Sequence, residues 1–363
     1  MDPKRKAITA AVVGTALGVG GLAVVAMPAS AGDAPVLPQI SAEELVQSTL
    51  NAKPAAFDGK VKVDNDLGLP QIGSTLPGAA ALNVDSAQIS TDGAGKSKVS
   101  LTEGSSQQTI VRNGQTVWEY NSKDNSATKV TIPDDLAKEH QNKTDGQAVD
   151  PATVASELLG KVRESSTIAV DGTSSVANRS AYELVLTPKP TERTLLREIR
   201  VAIDEQTRMP LRLTVLANGT SSPALEVSFS EITFADQPAS NFEFTPPKGA
   251  KVTEKTAEVD PKNRELAEQA KSDVKVVGDG WDTAITGKIP ADALAKAGSA
   301  KDEEGRQVDP KAMLSRFAKP VSGAWGSGWL VTTKVGSGVL TDDGRFAVGA
   351  VPEQVLFEAL AAK

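Results

Sequence analysis

The most constraining feature of this 363-residue chain is a series of short segments in which apolar and polar residues alternate. Four such segments between residues 182 and 229 carry Tyr182, Leu184 and Leu186, then Ile199, Val201 and Ile203, then Leu211, Leu213 and Val215, then Leu225, Val227 and Phe229. A period of two is typical of β-strands with one buried face. The pattern predicts one antiparallel sheet with an apolar face and a face in water.

A β-meander is predicted before these segments, from residue 86 to 132, with turns at Asp92-Gly93 and Asn113-Gly114. An Asn-Gly pair between β-rich runs is a strong hairpin signal. Only two helices are predicted near the sheet. One begins at the capping pair Ser41 and Glu44 and carries Leu45 and Val46; the other begins at Asp150-Pro151 and carries Leu158 and Leu159. Two helices are too few for the crossovers of a parallel sheet, so we expect them to cover the apolar face.

The first 31 residues have the composition of an export signal. Three cations at residues 4–6 precede an uncharged run at 7–26, and small residues at 28–31 resemble a signal peptidase site. Cleavage before Gly32 is the predicted outcome. The alternative is an uncleaved anchor, because the uncharged run is about long enough to span a bilayer. Either outcome predicts an extracytoplasmic protein of the cell envelope, secreted or anchored by residues 7–26.

The composition excludes several classes of function. The chain has no cysteine, so disulfides, thiol nucleophiles and thiolate metal sites are excluded. The one histidine, His140, lies in a polar run and is expected to be a solvated loop residue. A net charge of −7 disfavours nucleic-acid binding, because phosphate neutralisation needs clustered Lys and Arg.

No motif in the sequence predicts catalysis. STDGAGKS lacks the first glycine of a phosphate-binding loop and precedes a strand, and WGSGW lacks the spacing of a nucleophile elbow. Paired carboxylates such as Asp342-Asp343 lie in polar surroundings with nothing to raise their pKa values. We therefore expect a protein that is not an enzyme and that uses neither a cofactor nor a metal.

The segments AYELVLTPK, REIRVAIDEQTRMP and NFEFTPPKGAKV resemble the closing half of the LolA/LppX-type lipoprotein-carrier superfamily, and VRNGQTVWEY resembles its central hairpin. The resemblance covers about residues 41–252. It implies an α+β protein in which an open antiparallel β half-barrel with a helical lid fills residues 32–252. A linker or helix at 253–273 and a smaller α+β C-terminal domain at 274–363 are expected to follow.

The resemblance implies that acyl chains of lipid or lipoprotein bind on the concave face of the half-barrel. The expected cavity residues are Leu69, Trp118, Tyr120, Leu184, Leu186, Val201, Ile203, Leu213, Val215, Val227, Phe229, Phe242 and Phe244, and the expected lid residues are Leu45, Val46, Leu158 and Leu159. Phe242 and Phe244 are placed on the last strand, which Pro246 and Pro247 end because proline has no amide to donate. Each phenylalanine has the alternative of being ordinary core. The apolar loop at 67–76 is expected either to pack on the body of the protein or to cover the ligand.

The last part of the chain resembles the C-terminal domain of RseB/MucB-type sensors in VVGDGWDTAITGKIP and TDDGRFAVGAVPEQVLFEALAA. That resemblance implies contact with a membrane anti-sigma factor, with Trp325 and Trp329 as partner-binding residues, although clustered tryptophans also form the cores of small domains. The predicted function is a non-enzymatic lipid- or lipoprotein-binding carrier. The alternative is a regulator that binds an anti-sigma factor and senses envelope lipid.

Overall fold

The structure is a computed structural model that describes residues 34–68, 84–133, 151–257, 274–289 and 318–362. The predicted signal peptide, Leu69 and the rest of the apolar loop after Gly68, His140 and most of the predicted linker lie outside the described residues. None of the helices in the described ranges has the length and apolar content needed to cross a membrane.

Twelve strands form one large sheet in the order β12-β6-β5-β4-β3-β2-β1-β11-β10-β9-β8-β7. The strands are β1 (Phe57–Asn65), β2 (Ser86–Thr91), β3 (Ser97–Glu103), β4 (Ser106–Asn113), β5 (Thr116–Asn121), β6 (Ser126–Thr131), β7 (Ser166–Val176), β8 (Arg179–Pro188), β9 (Leu196–Asp204), β10 (Pro210–Ala217), β11 (Pro223–Phe234) and β12 (Lys251–Thr256). Because β12 and β7 are its two edges, the sheet is not closed. The prediction of a large open sheet accompanied by few helices is confirmed.

Three details of the prediction are wrong, and all lie at the end of the sheet. The sheet is mixed rather than antiparallel, because β12 pairs with β6 in parallel register. β12 also runs to Thr256, past the predicted domain boundary at 252, so residues 253–256 are strand rather than linker. Phe242 ends a 3-10 helix (Ala239–Phe242), and Phe244 follows it outside any strand. This irregular segment connects the end of β11 to β12 at the far edge of the sheet.

Two helices pack on one face of the sheet, at the end formed by β7, β8 and β9. Helix α1 (Ala42–Leu50) begins at the predicted capping box, in which Ser41 and Glu44 each accept the other's backbone N–H. Helix α2 is Pro151–Ser165. The two helices contact each other, and Arg163 of α2 pairs with Glu43 of α1. Leu45, Val46 and Leu159 are buried against the sheet, whereas the side chain of Leu158 lies outside what the structure describes.

The C-terminal residues form a second sheet of six strands in the order β13-β14-β18-β17-β16-β15. Its strands are β13 (Lys275–Val277), β14 (Ala284–Lys288), β15 (Lys319–Gly323), β16 (Gly326–Thr332), β17 (Ser337–Thr341) and β18 (Arg345–Gly349), and helix α3 (Glu353–Ala361) packs on it. The two sheets contact each other. Leu195 donates its backbone N–H to Ala350 at 2.9 Å, and Lys334 donates to the carbonyl of Leu67 at 2.9 Å.

Candidate functional site

The candidate site is the apolar surface beneath the two helices, which we call the helix-covered face. It is built from Leu184 and Leu186 of β8 and from Ile199, Val201 and Ile203 of β9. Antiparallel pairing places Leu184 opposite Val201 and Leu186 opposite Ile199. These residues share one face because each stands two positions from the next along its strand.

The part of this face over β8 and β9 is filled by the protein's own side chains. Leu184 and Leu186 have no exposed surface, and Ile203 retains only 2%. Leu45 and Val46 of α1, Leu159 and Val162 of α2, and Trp281 from the C-terminal part belong to the same apolar cluster. A ligand can reach these strands only if some of these side chains move.

The apolar surface continues onto β10 and β11 with less cover. Leu213 lies opposite Val201 on one side and Val227 on the other. Leu213, Val215 and Val227 are partly exposed, and we call these three residues the open part of the face. On β11 the surface includes Phe229, which is buried and meets the ring of Phe57 edge-on at 5.7 Å, and it continues through Val61 of β1 to Ala87 of β2.

The four predicted aromatic residues do not lie on the helix-covered face: Trp118, Tyr120, Phe242 and Phe244. The prediction that they line one cavity together with Leu184 is wrong. Strand pairing joins one row of residues, Trp118, Val111, Lys98, Ser90 and Asp58. It joins a second row, Leu184, Val201, Leu213, Val227 and Val63. On β1, Asp58 and Val63 are an odd number of positions apart, so the two rows lie on opposite faces of the sheet.

Residues 235–250 connect β11 to β12 and are called the crossing segment. Phe242 and Phe244 pack this segment on the opposite face of the sheet. The 3-10 helix that ends at Phe242 contacts β3 and β4, and Phe242 is 2% exposed. The ring of Phe244 lies 5.4 Å from that of Trp118 and 5.9 Å from that of Tyr120. This aromatic group positions the chain for the pairing of β12 with β6, and for these phenylalanines the alternative of ordinary packing is the one that the structure supports.

Charged residues of the same strands lie on the face opposite the helices. Arg212 of β10 pairs with Glu183 of β8 at 2.5 Å, and Arg200 of β9 pairs with Glu198 at 2.8 Å and Asp171 at 3.0 Å. Strand alternation therefore separates an aliphatic face from a charged one. The aliphatic face suits a hydrocarbon chain, whose burial is worth about 0.8 kcal/mol per CH₂.

Two kinds of acidic site can be described: groups that could hold a metal ion, and the Asp342-Asp343 pair. Within the described ranges, no group of three or more His, Cys, Asp or Glu side chains is placed to hold a metal ion. The pKa of Asp343 is lowered to about 2, first by the hydroxyl of Thr341 and then by Arg345, so this carboxylate of the predicted Asp342-Asp343 pair is ionised at neutral pH. A proton donor needs a pKa nearer the working pH.

The two tryptophans predicted to bind a partner lie on different faces of the second sheet. Trp325 is 6% exposed, stacks on Phe357 of α3 at 5.4 Å and belongs to the core. Trp329 is partly exposed and opposes Leu340 on the face away from α3. Trp281, which the sequence assigned to the small domain, instead joins the cluster of the large sheet. No local pattern could have shown this, because GDGW indicates only a turn.

Comparison with known proteins finds similarity in structure alone, because no family model and no curated protein matches the chain. A chain of the Pseudomonas aeruginosa MucA/MucB complex aligns with 14% identity over 88% of this chain and 96% of that chain, with a TM-score of 0.41. A LolA superfamily protein from Nitrosomonas europaea aligns with 11% identity over 57% and 99%, with a TM-score of 0.23. A putative outer membrane lipoprotein-sorting protein domain from Vibrio parahaemolyticus aligns with 10% identity over 55% and 95%, with a TM-score of 0.18. These proteins belong to the groups that the motifs resemble. Because all three TM-scores are below 0.5, the proposal that follows rests on the geometry of this chain.

Proposed function

We propose that this protein is an exported, non-enzymatic binding protein that takes up acyl chains of lipid or lipoprotein on its helix-covered face. The observation that supports the proposal most strongly is that the side chains of this face become more exposed from β8 to β11. A continuous row of aliphatic side chains runs from the fully buried Leu184 to the partly exposed Val227. A hydrocarbon chain laid along the row removes the exposed apolar area from water.

The helices α1 and α2 act as the lid in this mechanism. Their packing on the sheet is apolar, through Leu45, Val46, Leu159 and Val162, and such contacts lack the directional geometry of hydrogen bonds. The ion pair between Arg163 and Glu43 joins the helices to each other at an exposed position. The helices can therefore move as a pair, and acyl chain contacts replace the contacts they give up.

Binding of cis-parinarate, a fluorescent fatty acid, to the purified protein tests the proposal, with native mass spectrometry to detect lipid that co-purifies. Val227→Asn places an amide on the open part of the face, and we expect it to weaken binding about five- to hundredfold, since an amide buried without a partner costs about 1–3 kcal/mol. Ser228→Asn is the matched control, because Ser228 is the next residue on the same strand and faces the other way. Equal binding by both variants, or no binding by the unmodified protein, contradicts the proposal.

The regulator alternative remains a prediction from the sequence. A regulator of that kind should retain a membrane protein during purification even when lipid is absent, whereas a carrier should not. Co-purification from detergent-solubilised membranes with the tagged protein separates the two.

A further inference from the structure

Trp281 lies in the apolar cluster of the large sheet although it belongs to the C-terminal part of the chain. Its side chain is 6% exposed and packs with the cluster that contains Leu184, Leu186 and the helix residues. It is carried by a three-residue 3-10 helix (Gly280–Asp282) between β13 and β14. One side chain thus connects the second sheet to the face on which we propose acyl binding.

Specific polar contacts hold Trp281 in this position. The indole N–H donates to the hydroxyl of Ser166 at 2.7 Å, and the backbone N–H donates to the carboxylate of Glu192 at 2.7 Å. The backbone before it approaches closely as well, because a Cβ atom at Gly280 would lie 2.5 Å from the Cβ of Ser165. The indole is therefore docked in one defined position.

The rest of the second sheet docks beside the same cluster. Val335 and Ala350 pack against it. The carbonyl of Ala350 accepts the backbone N–H of Leu195 at 2.9 Å and the hydroxyl of Thr194 at 2.7 Å. Undocking of the second sheet would break these bonds together with the contacts of Trp281.

An acyl chain that extends from the open part over β8 and β9 must displace side chains, because Leu184 and Leu186 are already fully covered. Helices α1 and α2 contribute several side chains each and contact one another, whereas Trp281 is a single residue of a short turn. Movement of the helices therefore uncovers only part of these strands, and Trp281 must also leave before an acyl chain can lie beside Leu186 and Ser166.

We propose that Trp281 competes with the acyl chain for the helix-covered face, so that ligand binding undocks the second sheet. This inference rests on the proposed function. Because coupling between two binding events is reciprocal, whatever holds the second sheet in place lowers the affinity for acyl chains. A binding-competent state populated at about 1–10% reduces the apparent affinity about ten- to hundredfold.

Hydrogen exchange of the unmodified protein, with and without saturating palmitate, tests the coupling directly. We expect palmitate to speed exchange at the Trp281 amide, followed in peptides covering 274–289, and at the Leu195 amide, because their acceptors, the Glu192 carboxylate and the Ala350 carbonyl, move away. Peptides from β3 to β6, which lie far along the sheet, serve as the internal control and should not change. Unchanged or slower exchange at 274–289 in protein with bound palmitate overturns the inference.

Two variants test the competition by affinity. Trp281→Ala removes the competing side chain, and Gly280→Ala keeps the indole but adds a Cβ that collides with Ser165; we expect each to bind palmitate about ten times more tightly. Trp329→Ala, outside the cluster, is the control and should bind as the unmodified protein does. Equal or weaker palmitate binding by both variants overturns the inference. If either variant does not fold, the hydrogen exchange of the unmodified protein decides the question, and unchanged exchange at 274–289 overturns the inference. If the inference fails in either way while the unmodified protein still binds palmitate, the proposed function stands. If the unmodified protein does not bind palmitate, both the inference and the proposed function are contradicted.

Discussion

Arg179 and Asp204 form a two-pronged ion pair that closes the end of β8 and β9. The Arg179 guanidinium donates to the two carboxylate oxygens of Asp204 at 2.6 and 2.9 Å. Asp204 is 1% exposed and also accepts the backbone N–H of Thr207 at 2.7 Å and its hydroxyl at 2.8 Å. The motif IDEQT is thus a turn in which one carboxylate satisfies the donors of the β9–β10 connection. Its role is structural.

Asp204→Ala should destabilise the protein by about 3–5 kcal/mol, because it leaves a partly buried guanidinium and three turn donors without their acceptor. Urea unfolding followed by circular dichroism measures the change in the free energy of unfolding. Glu231→Gln is the matched control. It breaks an exposed ion pair with Lys60, and we expect it to cost less than about 1 kcal/mol. Similar losses in the two variants would contradict the structural role of Asp204.

The same pair predicts acid sensitivity. Burial alone would raise the pKa of Asp204, but the hydrogen bonds from Arg179 and Thr207 outweigh it and lower the pKa below its ordinary value. A carboxylate with a lowered folded-state pKa stabilises the fold above its unfolded-state pKa, and that contribution is lost as the pH falls through the folded-state pKa. Stability should therefore fall more steeply below about pH 4 in the unmodified protein than in Asp204→Asn. Parallel pH profiles would count against this assignment.

Glu192 should show the opposite dependence. Burial raises its pKa most, and the nearby charges of Asp282 and Asp279 raise it further, against the lowering effect of the Trp281 N–H. The folded state then holds a proton more tightly than the unfolded state, so stability falls as the pH rises above the ordinary pKa of a glutamate. Glu192→Gln keeps an oxygen that can accept the Trp281 N–H and removes this charge, so it should be as stable as the unmodified protein or more so at pH 7. Glu192→Ala removes the acceptor as well and should be less stable at the same pH. Thermal unfolding at pH 5 and 7 distinguishes these outcomes.

Phe244→Ala should loosen the end of the large sheet without affecting ligand binding. The ring packs on Trp118 and Tyr120 on the face away from the helices, and its loss should cost about 1–3 kcal/mol. Faster hydrogen exchange in β12 is the expected local effect. If cis-parinarate affinity falls by the same factor as in Val227→Asn, the ligand binds on the aromatic side and the proposed site is misplaced.

The sequence predicted most of the side chains of the helix-covered face, but few of the elements that surround that face. Alternation predicted Leu184, Val201 and Leu213 on one face, because a strand has no other way to bury every second residue. Phe242 and Phe244 alternate in the same manner, yet they lie in the irregular crossing segment, after Pro238. The sequence did not predict β12, because all of its side chains are exposed and its position depends on main-chain pairing with β6. The docking of Trp281 depends on tertiary contacts with residues more than a hundred positions away.

Photo-crosslinking with a diazirine-bearing palmitate tests the central claim most directly, because it reports which side chains lie beside the hydrocarbon chain. The account predicts that the label is found on Leu213, Val215 and Val227 and on helices α1 and α2. Labelling concentrated on Trp118, Tyr120 and Phe244, or labelling that excess palmitate does not reduce, would contradict it.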